Sequence, residues 1–110
     1  MSVDPNIYAK IKEQINSNDK VMVILDSDHS KSNVLKELEL YSKLITVGNY
    51  LVVEDTNVNG NPVNRTHGAG PNEAVEEYLR RSNNGRFIID REPERYLWTY
   101  NPNGYLRREK

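Results

Sequence analysis

Val21-Met22-Val23-Ile24-Leu25 is an unbroken apolar run that stops abruptly at Asp26-Ser27-Asp28-His29-Ser30. Apolar residues without alternation predict a strand buried on both faces, as in a parallel sheet, here over residues 20–26. The chain repeats this grammar at Tyr50-Leu51-Val52-Val53, which runs into Glu54-Asp55. Between the two runs, Val34, Leu35, Leu38, Tyr41 and Ile45 recur at helical spacing against a polar face of Lys36, Glu37 and Lys43. Ser30 or Ser32 supplies the helix cap, and Gly48-Asn49 the stop. Strand, helix and strand at this spacing predict a right-handed crossover with parallel strands. Upstream, Asp4-Pro5 reads as a cap and first turn, opening a helix with Ile7, Tyr8, Ile11 and Ile15 on one side.

Residues 56–70 are polar and rich in asparagine, glycine and proline, a loop long enough to suggest a function. Pro71 then starts a helix with Ala74, Val75, Tyr78 and Leu79 inward and Glu76/Arg80 and Glu77/Arg81 as solvent pairs. Asn83-Asn84-Gly85 ends it. Residues 86–89 and 96–100 read as two further strands, and the five residues between them are too few for a crossover, which predicts an antiparallel hairpin. Alternation places Tyr96, Trp98 and Tyr100 on one face as hairpin core. Asn101-Pro102-Asn103-Gly104 is a turn, and Tyr105-Leu106 pins the basic C-terminus, in which Arg107, Arg108 and Lys110 read as a solvated tail. The pattern is α/β: two parallel strands plus a β-hairpin, with flanking helices.

Both acidic strand ends fall where open α/β sheets bind ligands. Crowded carboxylates resist ionising together unless a cation joins them, so Asp28, Glu54 and Asp55 are candidate ligands for a hard metal such as Mg²⁺. His29 is a candidate general base or a residue bonded locally at the helix start, with both readings open. Asp26 is expected to end the strand and orient the loop, and His67 to face solvent. A chain of 110 residues is one domain at most, and 15 basic against 16 acidic residues leaves no footprint for nucleic acid or an anionic membrane. There is no cysteine, no signal peptide and no apolar stretch of membrane-spanning length, which points to a cytoplasmic setting.

Several strings go further than pattern. Leu25-Asp26-Ser27-Asp28-His29-Ser30, Tyr50-Leu51-Val52-Val53-Glu54-Asp55-Thr56, Gly68-Ala69-Gly70-Pro71 and Asn101-Pro102-Asn103-Gly104-Tyr105-Leu106-Arg107 resemble the cephalosporin hydroxylase and rhamnosyl O-methyltransferase family, in the right order and over nearly the whole chain. The resemblance implies a Rossmann-like class I methyltransferase fold, S-adenosylmethionine as cofactor, and a hydroxyl of a sugar or antibiotic-like small molecule as acceptor. It also implies a divalent metal held at the positions of Asp28, Glu54 and Asp55. Family members are about twice as long, and their Gly-rich donor-binding turn has no counterpart in this sequence. Residues 1–110 are therefore expected to be the C-terminal half of such a domain, inactive alone.

Two other readings compete. Asp26-Ser27-Asp28-His29-Ser30 also resembles the haloacid-dehalogenase phosphatase signature, with Asp26 as nucleophile and Asp28 as acid/base, although Ser30 stands where Thr or Val is usual. A non-catalytic remnant is the third. An apolar strand at 21–25 without a neighbour on one side would be a template for association, so a homo-oligomer or pairing with a missing N-terminal half is expected.

Overall fold

The computed structural model describes residues 1–95 and 99–110. Helix α1 spans Pro5–Glu13, strand β1 Val23–Leu25, helix α2 Lys31–Tyr41 and strand β2 Tyr50–Val53. Helix α3 spans Pro71–Arg81, strand β3 Phe87–Ile89 and strand β4 Tyr105–Arg108, with 3-10 turns at Ser42–Leu44 and Glu92–Arg95. The four strands form one sheet in the order β1-β2-β4-β3. β1 and β2 are parallel, with Val23 opposite Leu51 and Leu25 opposite Val53. β4 is antiparallel to both its neighbours, Leu106 lying opposite Leu51 on one side and Ile89 on the other. This mixed α/β sheet matches part of a Rossmann-like fold.

The core lies between the sheet and the α2–α3 pair. Leu51, Val53 and Leu106 from the strands meet Leu38, Val75 and Tyr78 from the helices, all essentially inaccessible to water. Burying each such side chain is worth about 1.5–3 kcal/mol. Asp4 caps α1 as its sequence indicates, accepting from the Asn6 N–H at 2.8 Å. The helix itself is peripheral: Ile7 and Ile11 stay more than a third exposed, and Tyr8 alone docks, edge-on against Tyr41 at 5.7 Å.

Five expectations are corrected. β1 is not buried on both faces, since Met22 and Ile24 are 55% and 53% exposed; α2 and α3 cover only the opposite face. The strand seen to pair with β3 is Tyr105–Arg108, whereas residues 96–98 of the expected partner strand lie outside the described residues. Tyr96 and Trp98 lie outside the described residues, while Tyr100 is 65% exposed and outside any strand, so it is not hairpin core. Arg107 and Arg108 are no solvated tail either. They belong to the strand that fills the space between β2 and β3, where Arg107 pairs with Asp90 and Glu109 and Arg108 donates to the Ile45 carbonyl. Finally, Glu37 is not on a solvent face of α2 but 1% exposed. It shares one helix face with Val34, Leu38 and Tyr41, and that face is the one turned inward.

Candidate metal centre at the strand ends

In-register pairing of β1 and β2 brings the residues after both strands to one edge of the sheet. The ladder runs one step past the strands, the Glu54 N–H donating to the Leu25 carbonyl at 3.0 Å. Asp55 then turns sharply into the left-handed region, φ 55°, a conformation Asp tolerates better than most residues. Its N–H is caught by the side-chain oxygen of buried Asn101 at 2.9 Å, which fixes the turn. Next to it, the Gly104 carbonyl accepts the Val53 N–H at 2.8 Å, and a Cβ at Gly104 would lie 2.3 Å from the Val53 carbonyl oxygen. Glycine is therefore required at 104 for the 101–104 turn to brace the end of β2.

His29 is the hub of the edge. Its Nε2 lies 3.3 Å from Asp26 Oδ1 and 3.3 Å from Asp55 Oδ2, with the His29 and Asp55 side chains about two-thirds buried. One ligand atom from each of Asp26, His29 and Asp55 falls within 4.8 Å of the others. Metal–oxygen bonds of about 2.0–2.6 Å let a single ion bridge such a set. An imidazole with two carboxylates suits a divalent transition metal as well as Mg²⁺. The donor set thus fits a divalent cation.

Asp28 and Glu54 stand beside this trio rather than in it. Asp28 is exposed, and its Oδ1 accepts the Ser30 N–H at 2.8 Å, a bond that holds its carboxyl below the usual range. Asp28 thereby supports the entry to α2, whose cap residue Ser30 makes no side-chain cap bond of its own. Glu54 is half-buried and follows directly on the parallel ladder. His67 is exposed in the loop, as expected, its Nδ1 3.0 Å from the Gly68 carbonyl oxygen.

The long loop is anchored by a carboxylate. Burial pushes the Glu73 carboxyl up, but donors from the Gly70 N–H, Asn59 and Asn61 outweigh it and hold the group below the usual range. The far end of the loop returns to the edge, where the Ala69 carbonyl accepts the Lys31 N–H at 3.1 Å. Asn101 and Glu73 are site-building residues that the sequence pattern alone does not single out. Their signals lie in the Asn-Pro-Asn-Gly string and in Glu73 standing three residues after Gly70, the spacing of a capping box.

The Rhamnosyl O-methyltransferase/CmcI family matches residues 1–109. The chain belongs to that family. Rhamnosyl O-methyltransferase of Mycobacterium tuberculosis (strain ATCC 25618 / H37Rv) is 44% identical over 109 residues, covering 97% of this chain and 44% of the relative. The Mycobacterium leprae (strain TN) protein of the same name is 46% identical over 91 residues, covering 82% of this chain and 39% of its own. The chain thus spans less than half the length of the curated relatives it matches. No solved structure matches it. The relatives it matches are named methyltransferases, not phosphatases. Among the described residues, no helix is long and apolar enough to cross a membrane.

Proposed function

We propose that this chain forms the cation- and acceptor-binding part of an S-adenosylmethionine-dependent O-methyltransferase acting on a hydroxyl of a sugar-like small molecule, in a cytoplasmic setting. The observation that carries the reading is the convergence of Asp26, His29 and Asp55 at the C-terminal edge of two parallel strands, in a chain of this family. A divalent cation bound there supplies Lewis acidity that makes an acceptor hydroxyl easier to deprotonate. Asp55 is the central ligand, because both the family likeness and the side-chain geometry include it.

The two sources differ on its companions. The likeness points to Asp28 and Glu54, leaving His29 as the base for the acceptor's proton. The side-chain geometry instead supports Asp26 and His29 as ligands. The described residues contain no Gly-rich strand-to-helix turn that would cradle the methyl donor; Gly70 instead caps α3 at the end of the loop. No step is therefore assigned to the donor.

Calorimetric titration with Mg²⁺ and Mn²⁺, repeated on single variants, tests the proposal. Asp55→Asn is expected to weaken binding at least tenfold, equivalent to about 1.4 kcal/mol. Matching losses in Asp28→Asn and Glu54→Gln favour the family pattern with His29 as base, whereas losses in Asp26→Asn and His29→Ala make His29 a ligand. Absence of cation binding by the unmodified chain, or binding insensitive to Asp55, refutes the reading.

A further inference from the structure

Of the carboxylates at the core, Glu37 is the one that the strand-end chemistry leaves unused. It is 1% exposed, and its Oε2 has no hydrogen-bond partner among the described residues. An ionisable side chain buried this deeply with an orphaned oxygen is costly and offers little as mere packing. Its other oxygen is firmly engaged. Ser27 Oγ donates to Glu37 Oε1 at 2.6 Å, the short distance of a charge-assisted bond. A serine hydroxyl has one proton, so Ser27 has only lone pairs left to offer. Asn33, 8% exposed one turn earlier on α2, fills that role: its Nδ2 donates to Ser27 Oγ at 3.2 Å and to the Asp28 carbonyl at 3.3 Å.

We infer that Glu37 is a positioning residue: through Ser27 and Asn33 it fixes the β1–α2 loop, and so sets where Asp26, Asp28 and His29 point. The direction of donation runs Asn33 to Ser27 to Glu37, and Ser27 Oγ also lies 3.4 Å from Ser2 Oγ. Ser27 sits between Asp26 and Asp28, and the Asp28 carbonyl leads directly into His29. Helix α2 thus reaches back from two points, residues 33 and 37, to clamp the stretch 26–29 that comes after β1. No direct contact of Glu37 with an ion is implied. The inference rests on the cation reading for its purpose, but the clamp itself stands on the hydrogen bonds.

The test separates the two. In Glu37→Leu, a residue that suits both helix and core, the clamp loses its acceptor while a buried polar group with an unpartnered oxygen is removed. Amide hydrogen exchange, read by NMR without metal, is expected to quicken about tenfold at Ser27–Lys31 and to stay unchanged at Leu51 and Val53. The thermal midpoint is expected to hold or rise. Ser27→Ala reproduces the local effect, the double variant adds little to either single one, and Glu37→Gln, which keeps an acceptor oxygen, largely restores the loop. Mn²⁺ affinity is expected to fall about tenfold in Glu37→Leu and less than about threefold in Glu37→Gln. Exchange that quickens everywhere with a lower midpoint assigns Glu37 a purely structural role and overturns the inference, as does an unchanged loop. If the unmodified chain binds no Mn²⁺ yet the loop loosens as described, the clamp is upheld and the cation reading alone fails.

Discussion

All four strands of this sheet run into an acid, and the ends behave differently. Asp90, just after β3, is claimed by its neighbours: Tyr50 Oη donates to Oδ2 at 2.6 Å, the Glu92 N–H to Oδ1 at 3.0 Å and Arg107 Nη1 to Oδ2 at 3.1 Å. The Tyr50 bond leads in holding its carboxyl below the usual range, and Asp90 in turn pushes the Tyr50 hydroxyl up. Asp26 and Asp55, after β1 and β2, face each other across a single imidazole and meet no lysine or arginine among the described ion pairs. An acid whose lone pairs are filled by protein donors is part of the scaffold. Acids that share one histidine between them have coordination to spare. An apolar strand ending in a carboxylate is thus only half a motif; the inventory of partners decides its use.

That contrast can be broken most forcefully by truncation. Asp90→Ala strands the Tyr50 hydroxyl and Arg107, and the thermal midpoint is expected to fall on the order of 5 °C in a melting experiment. Asp26→Ala, by relieving crowded charge, is expected to shift it by no more than about 1 °C or to raise it. Equal losses at the two positions would erase the distinction.

Acid sensitivity sharpens it further. Asp90 and Glu73 both have folded-state carboxyls depressed below their ordinary values. A depressed group contributes stability that is complete above its unfolded pKa of about 4 and is lost as pH falls through the folded value. Asp90→Asn and Glu73→Gln are therefore expected to be less stable than the parent near neutrality and to lose less between about pH 5 and 2 in denaturant titrations. Parallel pH curves for parent and variants would show that these bonds contribute no linkage. The smallest effect is expected at the sheet's covered edge: Asp90→Asn changes Mn²⁺ affinity by less than about twofold, against at least about tenfold for Asp55→Asn.

Much of the fold is legible in the sequence because apolar runs and caps are local. The β1–α2–β2 crossover, the Asp4 cap and the helix from Pro71 follow from spacing within single elements. The central strand β4 is hidden because Leu106 is its one fully buried side chain, set among Tyr105, Arg107 and Arg108. Its partners lie across the sheet, and the charged residues that follow Leu106 read as solvent exposure. Glu37 is misread for a related reason. Its position among Val34, Leu38 and Tyr41 indicates burial, but its charge argues for water, and only the long-range bond to Ser27 reverses that argument. At the site, the edge and Asp55 are readable, whereas the grouping of Asp26 with His29 and Asp55 depends on the left-handed turn at Asp55, which Asn101 holds from 46 residues away.

The most direct measurement is paramagnetic broadening of backbone amide signals as Mn²⁺ is added in substoichiometric steps. The account predicts selective loss of signals from residues 26–31 and 54–56, with residues 90–94 untouched and the effect abolished by Asp55→Asn. Broadening centred on Asp90, or spread evenly over the acidic surface, would contradict it.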